Sequence, residues 1–167
     1  MKVICNTTVI SNFAAVNALA ILSDVVRELH ISTEVYAEIQ DGLADGCDFY
    51  EGLDAQIYPL APDGWLHLTA FENDAELRLY GQLPTALHRG EASCLAIAAQ
   101  REWAFLSDDD RARKTARQLG VPVSGTLGVL AQAVEFQHVS LTAADDLLTK
   151  MIAAGYRSPL RSVTELL

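Results

Sequence analysis

The stretch Trp103-Ala104-Phe105-Leu106-Ser107-Asp108-Asp109-Asp110-Arg111-Ala112-Arg113 decides how this chain folds. Its first four residues are apolar and read as a short buried strand, which the serine and three aspartates then stop. Ser and Asp are also the residues that cap a helix, and acids in a first turn complement the helix dipole. A helix is therefore expected after Ser107–Asp110, ending at Gly120, because glycine readily adopts the backbone that closes a helix. Val121-Pro122-Val123 supplies the next short strand.

The same alternation extends outward. Val3–Cys5 is a short apolar run closed by Asn6-Thr7-Thr8, and a buried helix is expected from Val9 to about Leu22. Asp24–Leu29 reads as a second short helical piece and Ile31 as a short strand. Ser32 or Thr33 can cap a helix through Val35, Tyr36 and Ile39 that ends near Gly42 or Gly46. Residues 47–64, interrupted by Pro59, Pro62 and Gly64, fit no single element. Trp65–Ala70 alternates like a strand, and Asp74–Tyr80 looks helical, with Gly81 and Pro84 ending it. His88-Arg89-Gly90 opens a strong helix from Glu91 to about Arg101. Gly125-Thr126-Leu127-Gly128 leads into a helix reaching about Val134, and Ala143–Ala154 is the last long helix. Short apolar strands alternating with helices predict an α/β fold: a three-layer α/β/α sandwich on a mainly parallel sheet. Its 167 residues suit one domain, residues 1–167.

Composition narrows the function. Half of the residues are hydrophobic, which is enough for a sizeable core. The formal net charge is −10, which argues against coating nucleic acid through bulk charge. The charge is uneven: all of that excess lies in residues 1–87, while residues 88–167 carry nine basic and nine acidic side chains. Phosphate contacts are therefore expected from the second half. Cys5, Cys47 and Cys94 form no CxxC pair and suit free thiols in a reducing compartment. Without a long apolar stretch or a convincing leader, a cytoplasmic protein that does not enter the membrane is expected.

In a parallel sheet, ligands bind beyond the carboxyl ends of the strands. Asn6-Thr7-Thr8 and Ser107–Asp110 lie at two such ends, while Glu91 lies at a helix start and Glu38 within a helix. Carboxylates converging there would bind Mg²⁺ or Mn²⁺, hard cations that prefer oxygen, and such ions promote phosphodiester hydrolysis. Each acid also suits a structural role: Asp108–Asp110 as caps, Glu91 in a first turn, Glu38 on a solvated face. Arg111, Arg113, Lys114 and Arg117 follow the aspartates on one helix. They read either as a phosphate clamp or as an amphipathic face paired with Asp109 and Asp110. His30, His67, His88 and His138 lack metal-ligand spacing and suit surface or packing roles, and Cys94 reads as core. No P-loop or nucleophile elbow is present.

These residues resemble the PIN-domain family, and more closely its small prokaryotic branch that looks like the VapC toxins. Val3-Ile4-Cys5-Asn6-Thr7-Thr8 is similar to the family's first strand and Asp-Thr/Ser turn, and Val35-Tyr36-Ala37-Glu38 to its V-x-x-E helix. Gly90-Glu91-Ala92, Ser107-Asp108-Asp109 with Ala112-Arg113, and Gly125-Thr126-Leu127-Gly128 resemble the branch's GEA, D-D-x-x-A-R and GTLG segments. The resemblance implies a metal-dependent endoribonuclease using Mg²⁺ or Mn²⁺, RNA as substrate, the toxin role of a toxin–antitoxin pair with a cognate antitoxin, and a homodimer. It places the metal site at Asn6, Glu38, Glu91 and Asp108 or Asp109, with the four carboxylates as catalytic residues. Asn6 departs from the family, which has Asp there; a neutral carbonyl replaces a charged ligand, and affinity falls with ligand charge. That departure keeps two alternatives open: a degenerate module that binds RNA or a protein without cutting, and a subunit that only dimerises.

Overall fold

The computed structural model describes residues 1–167 and contains one six-stranded, wholly parallel sheet. The strands are β1 (Val3–Cys5), β2 (Leu29–Ser32), β3 (Ile57–Tyr58), β4 (Leu66–Thr69), β5 (Ala104–Leu106) and β6 (Val123–Ser124), in the order β3-β4-β2-β1-β5-β6. β1 is central. Val3 and Ile4 pair with Leu29 and His30 on one side, and Val3, Ile4 and Cys5 pair with Ala104, Phe105 and Leu106 on the other. Parallel strands buried on both faces need near-continuous apolar sequence. Ile4, Cys5, Ile31, Phe105 and Leu106 meet that need and are buried.

The helices are α1 (Thr7–Ala15), α2 (Leu19–Val25), α3 (Thr33–Ala44), α4 (Asp74–Gln82), α5 (Arg89–Arg101), α6 (Asp110–Gln118), α7 (Thr126–Glu135) and α8 (Leu141–Ala153). α5 packs on β1, β2 and β5 with α3, α4 and α6 beside it, while α1, α2, α7 and α8 contact one another. The result is the expected α/β/α sandwich. Residues Glu91 to Ala98 of α5 are all buried, so this helix is the centre of its layer.

Three expectations are corrected. The helix expected over 9–22 is two helices, because Asn17 takes the left-handed backbone (φ 55°), which asparagine tolerates. The helical piece expected over Asp24–Leu29 ends at Val25, and Leu29 opens a four-residue strand that is buried throughout. Gly81 does not end α4, which runs through Gln82. The ambiguous residues 47–64 form two 3₁₀ turns, Asp48–Tyr50 and Leu53–Gln56, and the edge strand β3.

Polar groups in the core are paired. Glu76 is 0% exposed and accepts from Arg101 Nε at 2.7 Å, while Arg101 also lies over the Trp103 ring. His30 is a packing residue, bonded through Nδ1 to Thr69 Oγ1 at 2.8 Å and through Nε2 to Glu28 Oε1 at 3.0 Å. Cys5 and Cys94 are buried free thiols, and burial pushes the Cys94 thiol up to about 12. No helix is long and apolar enough to cross a membrane.

Candidate active site

The carboxyl ends of β1 and β5 are joined by side chains. Asn6 Nδ2 donates to Ser107 Oγ at 2.9 Å, and the same hydroxyl accepts from Asp109 N at 3.1 Å. On the other side, Thr8 Oγ1 donates to Asn6 Oδ1 at 2.7 Å and accepts from Asp108 N at 3.0 Å. Asn6 and Ser107 are buried, so this spine is fixed on rigid strand ends.

α3 and α5 bring the two glutamates to it. Glu38 Oε2 accepts from Thr7 Oγ1 at 2.6 Å and Oε1 from Gly90 N at 3.0 Å. Glu91 reaches back to its own helix start, where Oε2 accepts from His88 N at 3.0 Å, a capping-box contact. It is only 6% exposed. Burial raises its pKa above the usual carboxylate range, the His88 N–H opposes this, and the charges of Asp109 and Glu38 add to it. Asn6, Thr7, Thr8, Glu38, His88 and Glu91 line one cleft of about 320 Å³ without a single hydrophobic residue. His88, given a surface or packing role from the sequence, is exposed and also lines this cleft.

The two adjacent aspartates point differently. Asp108 accepts from Thr126 N at 2.9 Å, Thr126 Oγ1 at 2.6 Å and Asn12 Nδ2 at 3.0 Å, with the Tyr156 hydroxyl at 3.4 Å. It braces α1 and α7 against β5. Asp109 Oδ1 caps α6 through Ala112 N at 2.8 Å, and its charge is felt by Glu91. Ser107 and Thr126 stood in the sequence only as members of the Ser107–Asp110 cluster and the Gly125–Gly128 segment, and Asn12 and Tyr156 carried no signal for the site.

Of the four α6 cations, Arg111 and Arg113 line a second, larger groove of about 950 Å³ together with Asp108–Asp110. Lys114 and Arg117 do not line it and are exposed. None of the four pairs with an acid within 4 Å; the chain's salt bridges involve Lys2, His30 and Arg101 only. Arg113 Nη1 donates instead to Ser107 O at 2.9 Å.

A family profile described as a PIN domain, DUF3368, matches residues 2–167. The chain belongs to the PIN-domain family. A PilT N-terminus domain protein from the hyperthermophilic archaeon Sulfolobus solfataricus shares the fold at 16% identity and a TM-score of 0.52, covering 81% of this chain and 95% of that one. None of the curated proteins matches this chain. The carboxyl end of β1 lies at the all-polar cleft.

No three His, Cys, Asp or Glu side chains stand close enough to hold an ion by themselves. The donor chemistry nonetheless suits a hard dication. Asn6 Oδ1, Glu38 and Glu91 offer oxygen only, in a cleft without apolar lining, and the Asp109 carboxylate is near enough for its charge to act on Glu91. Mg²⁺ is commonly held by one or two carboxylates, with water and substrate phosphate completing the shell.

Proposed function

We propose that this PIN-family chain is a metal-dependent endoribonuclease, VapC-like in kind and the toxin of a toxin–antitoxin pair. The observation carrying this reading is the all-polar cleft that gathers Asn6, Glu38 and Glu91, with Asp109 beside it. Glu91 and Asp109 would hold Mg²⁺ or Mn²⁺, with Asn6 Oδ1 as a neutral donor; bound there, the ion would activate water and neutralise phosphate charge. Glu38 is held by Thr7 and Gly90, so it presents a fixed negative charge at the cleft wall. Glu91 Oε2 is tied to His88 N, while Oε1 has no hydrogen-bond partner within the chain. Asp108 serves as the brace that fixes Ser107 and Asp109, and the ligand of the pair is Asp109.

Antitoxin binding, self-association and a cytoplasmic location belong to the same reading. One observation favours the degenerate, binding-only alternative: the neutral Asn6 amide is well satisfied between Ser107 and Thr8. A Mn²⁺ titration by calorimetry, combined with cleavage of a mixed RNA pool, separates the two. The nuclease reading expects saturable binding and metal-dependent cleavage that Glu91→Gln abolishes. RNA binding without cleavage at any Mn²⁺ concentration supports the binding-only module.

A further inference from the structure

Four rings form a row across the sheet, apart from the cleft. His30 in β2 and His67 in β4 are direct partners in the ladder, so their side chains share one face, with ring centroids 5.2 Å apart. Tyr58, the partner of His67 in β3, lies 5.3 Å beyond it. On the other side Trp103, just before β5, stands 4.4 Å from His30.

His30 is the only one of the four that is fully enclosed, at 6% exposure, and both of its nitrogens are bonded. The Glu28 carboxylate can only accept, so Nε2 carries the hydrogen of the neutral ring. Nδ1 is then a lone pair and accepts from the Thr69 hydroxyl at 2.8 Å. Thr69 is the last residue of β4 and is itself buried. The neutral ring thus adds a side-chain tie between β2 and β4, and β4 is all that joins the two-residue edge strand β3 to the sheet.

We propose that His30 is an acid-sensitive latch: neutral, it fastens the β3–β4 edge to β2, and protonated, it releases that edge while β1 and β5 stay paired. A proton on Nδ1 meets the hydrogen of the Thr69 hydroxyl, which must turn away from its one side-chain partner in the chain. The surroundings give the new charge little support. His67 and Lys2 repel it, and Arg101 lies 5.1 Å from the Trp103 ring with its own charge taken up by Glu72 and Glu76 of the α4 layer. Tyr58 is neutral. Glu28 alone attracts it, and that carboxylate is half exposed and shared with Lys2 at 3.1 Å. Burial, then His67 and Lys2, hold the His30 pKa below the ordinary histidine value, against the pull of Glu28. The closed edge is therefore fully stable above the ordinary value of about 6.5 and loses stability as pH falls from there toward the folded value. The inference is independent of the proposed function.

The test is hydrogen exchange on the full chain, read as protection factors at about pH 7.5 and about pH 5.5. Amides of Leu66–Thr69 and Ile57–Tyr58 should lose up to about tenfold in protection, the limit for one histidine kept neutral in the closed form one unit below its ordinary pKa. Amides of β1 and β5 should keep theirs, because the opening is local. His30→Gln cannot titrate and should hold the edge's protection level between the two pH values. Glu28→Gln, at an exposed position, leaves an acceptor for Nε2 but removes the attracting charge, so it should deepen the acid loss. Should His30→Gln fail to fold, Glu28→Gln decides: an unchanged or smaller loss overturns the latch. An edge indifferent to pH overturns it, as does a loss that persists in folded His30→Gln. Equal loss at β1 and β5 is general acid unfolding and overturns it too.

Discussion

Gly90 and Glu38 are in direct contact across 52 residues of chain: the Gly90 amide donates to Glu38 Oε1 at 3.0 Å. A β-carbon on Gly90 would stand 2.6 Å from Glu38 Oε2, too close for any real contact. The glycine of the Gly90-Glu91-Ala92 segment is there so that α5 can approach the α3 carboxylate. Gly90→Ala should therefore displace the Glu38 carboxylate, the movable end of its side chain, and weaken Mn²⁺ binding with only a small change in stability. Denaturant unfolding and calorimetry check this, and an unchanged metal affinity would detach Glu38 from the site.

Asn6→Asp should strengthen Mn²⁺ binding by tenfold or so, since a charged ligand replaces a neutral one. The change is isosteric, and Ser107 Oγ, which now accepts from Asn6 Nδ2, can turn its hydroxyl to donate. The variant should melt lower than the parent in EDTA and higher in millimolar Mn²⁺, because an ion binding only the folded state stabilises it. A melting temperature indifferent to Mn²⁺ refutes the assignment.

Burial, reinforced by Asp109 and Glu38, raises the Glu91 pKa, so the folded chain binds this proton more tightly than the unfolded chain. The ionised carboxylate thus costs stability above its folded pKa. The cost disappears as pH falls from that value toward the ordinary carboxylate pKa. In EDTA at pH 7, Glu91→Gln should be more stable than the parent by about 1 kcal/mol, and the gain should vanish near pH 3.5. Denaturant midpoints at both pH values measure it.

Glu76 behaves in the opposite sense. The hydrogen bond from Arg101 holds its carboxyl below the usual range, aided by the Glu72 amide. Its contribution is complete above the ordinary carboxylate pKa and is lost as pH falls through the folded value. Glu76→Gln should cost about 3 kcal/mol at pH 7, because it leaves Arg101 without its buried partner, and should flatten the acid limb of the stability curve. An unchanged acid limb would contradict the pairing.

Self-association is expected to show as a dimer in equilibrium sedimentation at tens of micromolar. Leu60, Leu77, Phe136 and Tyr58 are about half exposed or more, and such apolar groups commonly find a partner surface. A monomer at that concentration removes the dimer from the proposed function.

The strands that carry the site were legible because Val3–Cys5 and Ala104–Leu106 are uninterrupted apolar runs closed by polar turns. β2 was legible only at Ile31, because His30 looks like a surface residue and becomes a core residue only when Thr69 and Glu28 reach it. The break at Asn17 had a local signal, since asparagine is the residue that most readily turns left-handed after glycine. Asp108 and Asp109 could not be told apart in sequence, because neighbouring residues differ only in direction. That direction is set by Thr126 and Asn12, which arrive from other parts of the chain.

The central position of β1 has a consequence for synthesis. β1 is translated about a hundred residues before Ala104–Leu106, and its β5 edge stays open until they follow. No shorter nascent chain can join Asn6 to Ser107, so the hydrogen-bonded link between the two strand ends is absent throughout most of translation. Meanwhile an apolar edge strand is left exposed to pair with other chains, the usual route by which incomplete sheets aggregate. Prematurely terminated products ending before β5 therefore lack that link and are the species that most need a chaperone.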